Sequence, residues 1–203
     1  PWALTPEDDI KLLQETRLTQ GQIGAAHSAA RQMGWEACWA PAIREGRTTK
    51  GPASGGLAIL VRSPRRIRRV THAGKHSHRW LHAVIDLGKG NPLHVVSLYG
   101  YDTGRPEAYR LKGELTREVF AAMAELGTAR WVIGGDWNRE PHEVWEIVAD
   151  GGVHCHVVPG DGKGTCRPSE RRIDFLVAPT SLVGAITTAE TNEAAPIYPH
   201  KPL

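Results

Sequence analysis

Short apolar runs separated by turn-forming residues dominate the chain. Residues 9–16, DIKLLQET, predict a short buried strand that ends on polar residues. Residues 21–33 are rich in alanine, with Ala25, Ala26, Ala29 and Ala30 making small faces, and predict a helix. Turn formers and charge over 45–56, EGRTTKGPASGG, predict a loop. The strand LAILVR follows at 57–62, then a basic stretch, RSPRRIRRV, at 62–70. RWLHAVIDL at 79–87 and LHVVSLYG at 93–100 predict two strands joined through Gly88, Gly90, Asn91 and Pro92, a hairpin pattern.

From Pro106 onward the period changes. Ala108, Leu111, Leu115, Val119, Ala122, Met123 and Leu126 fall mostly at steps of three and four, one face of an amphipathic helix with Pro106 suited to its first turn. Gly113 weakens that helix by about 1 kcal/mol relative to Ala without breaking it. The strand RWVIGGD comes next, then a shorter helix from Pro141 to Val148. Three more runs, HCHVVPG at 154–160, RRIDFLVA at 171–178 and LVGAITTAE at 182–190, predict strands, and PIYPHKPL at 196–203 is irregular. No repeat or linker interrupts the order, so residues 1–203 read as one domain of two packed sheets flanked by helices.

Composition narrows the class. At 203 residues, 40% hydrophobic and 23% charged, the chain is globular rather than disordered or fibrous. Its net charge of +3 suits a polyanionic partner without demanding one. Cys38, Cys155 and Cys166 form no disulfide framework and no Cys-x-x-Cys zinc pattern, which predicts reduced thiols and an intracellular setting, nucleus or cytoplasm. No apolar run approaches the ~18 residues of a membrane span, and no signal peptide opens the chain. A first residue of Pro rather than Met suggests a trimmed product, and a monomer is the default.

Several polar residues sit where apolar ones are expected. WVIGG delivers Asp136, Trp137 and Asn138, a sequence that also makes a cheap turn. Asp174 lies inside RRIDFLVA, where a carboxylate is costly to bury unless paired or metal-bound; Arg171 and Arg172 are its structural partners by proximity. Glu15 ends one strand and Tyr99 another, while His200 lies in the tail, where histidines are usually solvated. Trp80 and Trp131 read as core, and Trp137 either packs beneath a site or faces a base. Arg62, Arg65, Arg66, Arg68 and Arg69 would contact phosphates or form a solvated loop. His72, His76, His78 and His82 cluster near a turn, and His154 and His156 share a strand face, without carboxylate or cysteine partners at zinc spacing.

Taken in order, LLQET at 12–16, SGGLAILVR at 54–62, VVSLYGYD at 95–102, GGDWN at 134–138, RRIDFLVA at 171–178 and HKPL at 200–203 resemble the endonuclease/exonuclease/phosphatase superfamily of deoxyribonuclease-like and apurinic-endonuclease-like enzymes. The resemblance spans nearly the whole chain. It implies a four-layered α/β sandwich, two packed and mostly antiparallel sheets with helices outside. It further implies a divalent-metal-dependent phosphodiesterase that hydrolyses nucleic acid, of retroelement origin, with Mg2+ or Mn2+ as cofactor. A phosphatase on a small phosphoester and an inactive binding module are the alternatives.

The same resemblance assigns roles. Glu15 is the metal ligand, since a hard cation prefers carboxylate oxygen and keeps several waters. Asp136 orients or deprotonates the attacking water, and Asn138 helps place nucleophile and phosphate. His200 contacts the scissile phosphate with its imidazole held by Asp174, and Tyr99 donates to the phosphate. Two features depart from the family pattern. PWALTPEDDI lacks the Asn that usually ends an opening strand, and Pro199 stands where an Asp usually precedes the final His. These predict a sandwich incomplete at its N-terminal and C-terminal strands, and a weakened or inactive chain.

Overall fold

The computed structural model describes residues 9–43, 53–102, 104, 106–149, 152–167, 169–182, 184–186, 189–192, 200, 201 and 203. The chain divides into two compact units, Pro1–Tyr99 and Gly100–Leu203. Residues 45–52 of the predicted loop, and 196–199 and 202 of the tail, lie outside the described residues.

The first unit holds β1 (Ile10–Leu13), α1 (Gln20–Gln32), β2 (Trp35–Ala40), β3 (Leu57–Arg62), β4 (Arg66–Val70), β5 (Trp80–Asp86) and β6 (Pro92–Tyr99). β3 runs between β1 and β2, antiparallel to both. β5 runs between β4 and β6, again antiparallel to both. Strand alternation decides what each face meets. Leu57, Ile59 and Val61 of β3, with Cys38 and Ala40 of β2, pack against Leu81, Ala83 and Ile85 of β5 and Val95 and Tyr99 of β6. Two sheets therefore lie face to face. Ala58 and Leu60 point the other way, against Trp35, Ala37 and Ala30 of α1, so α1 covers the outer face of its sheet. Buried on both sides, β3 carries an unbroken apolar run rather than an alternating one.

The β5–β6 hairpin forms in the expected place, in register from Trp80↔Leu98 to Asp86↔Pro92. Gly88 and Gly90 take the left-handed backbone that closes its loop, at φ 86° and 71°. Two strands were not expected. β2, WEACWA, lacks β-branched residues, and its apolar positions on both faces hide the alternation. The basic stretch is not a loop: Arg66–Val70 is β4, with Ile67 packed on the core and Arg66, Arg68 and Arg69 exposed.

The second unit holds α2 (Ala108–Ala124), β7 (Trp131–Asp136), α3 (Pro141–Val148), β8 (Cys155–Val157) and β9 (Asp174–Pro179). β9 lies between β7 and β8, antiparallel to both. α2 buries Ala108, Leu115, Val119 and Met123 as its period predicts, but Lys112 and Thr116 sit in the same stripe. Its Phe120 meets Trp131 of β7 edge-on at 6.3 Å. Of the strand predicted at 182–190, residues 183, 187 and 188 lie outside the described residues, and the others make no strand. Ala185 and Ile186 donate back to the Leu182 carbonyl, a local turn that takes groups a ladder would need, and Ala189 bridges to Gly160. No helix among the described residues is long and apolar enough to cross a membrane.

Candidate active site

In the second unit, the site begins with a cross-strand pair. Antiparallel register sets Asp136, the last residue of β7, opposite Asp174, the first of β9, so both carboxylates rise from the same face. Thr165 fixes where β9 starts, since its buried hydroxyl accepts from the backbone of Ile173 at 3.0 Å and Asp174 at 2.9 Å. Trp137 then turns inward and is 2% exposed. Its indole stacks on Phe175 at 4.9 Å, and its Nε1 donates to the Phe175 carbonyl at 3.0 Å. Trp137 is a floor beneath the site, not a platform for a base.

Asn138 follows in left-handed backbone at φ 50°. Its backbone N–H donates to Asp136 Oδ1 at 2.9 Å, and its side-chain amide donates to Asp136 Oδ2 at 3.1 Å and to the Gly100 carbonyl at 3.3 Å. Gly100 in turn donates to the Asp136 carbonyl at 2.6 Å. A Cβ on Gly100 would lie 2.2 Å from the Trp137 carbonyl oxygen, so only glycine permits this approach. The Asp-x-Asn spacing is thus both a turn and a fixed pair of polar side chains.

His200 completes the group. Its Nδ1 lies 3.0 Å from Asp174 Oδ2, and its Nε2 lies 3.7 Å from Asp136 Oδ2. The hydrogen bond to Asp174 pushes the imidazole pKa up to about 9, against the opposing effect of burial; the charges of Asp174 and Asp136 add to the rise. His200 and Lys201 are themselves tied down. Lys201 donates its backbone N–H to the Thr165 carbonyl at 2.7 Å, His200 bridges to Cys166, and the Lys201 ammonium pairs with Glu170 at 2.9 Å. Asp174 therefore pairs with His200 and not with its sequence neighbours. Arg171 instead reaches Glu140 at 2.8 Å and Glu143 at 3.4 Å, and Arg172 donates to the Val158 carbonyl at 2.8 Å.

One ligand atom each from Asp136, Asp174 and His200 lie within 4.8 Å of one another, a spacing that can hold a metal ion. Donor chemistry separates the three. An imidazolium has no lone pair to give, whereas the two carboxylates are oxygen donors that suit a hard divalent cation.

In the first unit, Glu15 follows β1, and Glu15 and Arg17 both take left-handed backbone, at φ 50° and 54°. Gly55 and Gly56, the glycine pair ahead of β3, clasp this turn by accepting from Arg17 at 2.9 Å and Thr16 at 3.1 Å. A Cβ on Gly56 would strike the Thr16 hydroxyl at 2.5 Å. The Tyr99 hydroxyl donates to Glu15 Oε1, and Arg17 pairs with Oε2 at 3.2 Å. The Arg79 guanidinium stands over the Tyr99 ring, 5.0 Å from its centroid. Of the basic residues, Arg65 pairs with Asp9 at 2.7 Å and Arg69 donates to the Trp39 carbonyl at 3.1 Å, while Arg66 and Arg68 line a groove of about 390 Å³ with Val84, Asp86 and Pro92. Three imidazoles form a chain: His82 lies 2.8 Å from His72 and 2.9 Å from His94, ring nitrogen to ring nitrogen.

Lys112, Gly100, Thr165 and Arg79 were not anticipated. Lys112 had a signal, a cation inside the apolar stripe of a helix. Thr165 had none, because its role depends on a backbone eight residues away in sequence.

No curated protein matches this chain in sequence. Solved structures do match in fold. A 3'-5' exonuclease (NExo) from Neisseria meningitidis is 17% identical with TM-score 0.67, over 97% of this chain and 88% of that one. A second NExo structure from Neisseria, described as a 3' phosphatase bound to product DNA hairpin, is 16% identical with TM-score 0.64, over 97% and 87%. An endonuclease/exonuclease/phosphatase from Bacteroides vulgatus is 13% identical with TM-score 0.68, over 96% and 82%. These likenesses show the expected α/β sandwich fold. The model of the Endonuclease/Exonuclease/phosphatase family matches residues 3–183, and the chain belongs to that family.

Proposed function

We propose that residues 1–203 act as one catalytic domain, a divalent-metal-dependent phosphodiesterase that hydrolyses nucleic acid. The observation that carries the reading is the pairing of a carboxylate, Asp136, with an Asp174-held imidazolium, His200, 3.7 Å away. A base and a cation that close serve a reaction in which a water loses a proton beside a phosphate gaining charge.

Asp136 takes the proton of the attacking water, and Asn138 aims that water and the phosphate. His200 donates to a phosphoryl oxygen, with its ring fixed by Asp174. Tyr99 would turn its one O–H from Glu15 to the phosphate as a second donor. Glu15 would be a ligand of the cation, and the Asp136 and Asp174 carboxylates are oxygen donors of the kind it takes. A bound Mg2+ or Mn2+ would neutralise phosphate charge and stabilise the leaving oxygen. Nucleic acid is favoured over a small phosphoester by the net charge of +3 and the exposed Arg66 and Arg68, and by the DNA hairpin named in the Neisseria structure.

Plasmid nicking in Mg2+ and in EDTA tests this reading. Nicking that needs the metal is expected. Phosphate release from a small phosphoester without nicking would replace it with a phosphatase, and DNA binding with neither activity would leave a binding module.

A further inference from the structure

Lys112 lies in the buried stripe of α2, 6% exposed, four residues after Ala108 and four before Thr116. An ammonium in that position needs a partner to offset its lost hydration. Its partner is a backbone oxygen: Nζ donates to the Asn138 carbonyl at 2.6 Å. That carbonyl belongs to the left-handed residue, at φ 50°, on which the Asp-x-Asn turn closes. Asn tolerates left-handed backbone better than most residues, and a charge-assisted hydrogen bond from a buried cation fixes the orientation of its peptide within it.

The clamp has a consequence at the side chain. Both partners of the Asn138 amide, Asp136 Oδ2 and the Gly100 carbonyl, are acceptors, so the nitrogen must face them and Oδ1 must face away. Asn138 Oδ1 is thus a second acceptor, across one amide group from the Asp136 carboxylate, and the two can take the two hydrogens of one water. Rotating the Asn138 peptide would move that oxygen. The charges around Lys112 are those of Asp136 and Glu143 on one side and Arg139 and Arg171 on the other.

We propose that Lys112 is a positioning residue for hydrolysis, holding the Asn138 carbonyl so that Asn138 Oδ1 and Asp136 together aim the attacking water. This rests on the phosphodiesterase reading. Lys112→Met keeps the aliphatic stem and removes the donor, whereas Lys112→Arg keeps both cation and donor. Misplacing a reactive group by about 1 Å costs on the order of a hundredfold, so Lys112→Met is expected to lose about that in kcat with KM within about twofold. Lys112→Arg is expected to recover at least about tenfold of the loss.

A second readout does not depend on turnover. The Asn138 side-chain amide gives an NMR resonance pair, identified by its disappearance in Asn138→Asp. That pair is expected to move toward solvent-exposed values in Lys112→Met and to stay in place in Lys112→Arg. An unmoved pair in Lys112→Met, or equal loss of kcat in both variants together with a lowered Tm, would overturn the proposal. If Lys112→Met does not fold, Lys112→Arg decides by the same resonance pair. Wild-type protein without metal-dependent hydrolysis would sink the phosphodiesterase reading instead, and a moved pair would still assign Lys112 its hold on Asn138.

Discussion

Asp136 performs two tasks with two oxygens. Oδ1 accepts from the Asn138 backbone and closes the turn, while Oδ2 accepts the Asn138 amide and lies 3.7 Å from His200. The turn reading of the GGDWN stretch is therefore met, and the same turn sets the Asp136 carboxylate beside His200, where the proposed role needs it; the spacing alone had no means to separate the two. Asp136→Asn keeps an oxygen for the Asn138 backbone N–H, removes the negative charge, and gives up the bond from the Asn138 side-chain amide. Its kcat should fall about 10²–10⁴-fold with KM nearly unchanged, because a general base acts in the transition state more than in the ground state. Steady-state kinetics on a nicked-substrate assay reads this, and near-normal turnover would reduce Asp136 to a turn residue. His200 makes a separate, thermodynamic prediction. Its folded pKa of about 9 stands above the ordinary value of 6.5, so its contribution is full below the unfolded pKa and fades as pH rises through about 9. Denaturation midpoints of the wild type should therefore drop more steeply between these two pH values than those of His200→Gln. Parallel slopes would mean that the Asp174–His200 pair contributes no such linkage.

Elements were legible where one period dominated. LAILVR gave its own bounds as β3, and the three-and-four spacing from Ala108 to Met123 marked α2. β2 and β4 were hidden for opposite reasons. Trp35 and Trp39 share one face of β2 with Ala37, and Cys38 and Ala40 fill the other, so no polar alternation shows. In β4 the arginines outweigh Ile67, the residue that anchors the strand. Histidines on β5 and β6 were legible as a count but not as a chain, since register alone brings His82 and His94 onto neighbouring strands. His82 is 2% exposed, and burial, aided by His72, His94 and Arg68, lowers its pKa to about 3. Between about 3 and 6.5 the unfolded chain then binds a proton that the folded one refuses, so stability rises with pH across that window and falls as acid is added. His82→Gln, which cannot titrate, should show a flatter dependence in chemical denaturation between the same limits. An unchanged slope would assign the acid sensitivity to other groups.

At the scale of the whole molecule, the motif order from LLQET to HKPL made the family legible, because most of those motifs lie on or beside strands, whose order the loops between them do not change. Substrate class was not legible. A net charge of +3 is a sum over 203 residues, and what a polyanion meets is the local arrangement of exposed cations. Ion pairs remove several arginines from that count: Arg65 is held by Asp9 and Arg171 by Glu140 and Glu143. Arg66 and Arg68 remain exposed on β4. DNA held through β4, by Arg66 and Arg68 with up to two further cations, makes about two to four phosphate contacts and hence gives a slope of about −2 to −4 in log K against log salt. DNA binding, measured in EDTA to suppress turnover, should weaken about 15- to 250-fold between ~50 and ~200 mM salt. KM for a small phosphoester, with one phosphate to hold, should change only a few-fold over the same range. Salt-insensitive DNA binding would leave the proposed roles of Asp136 and His200 untouched and remove the ground for naming nucleic acid as the substrate.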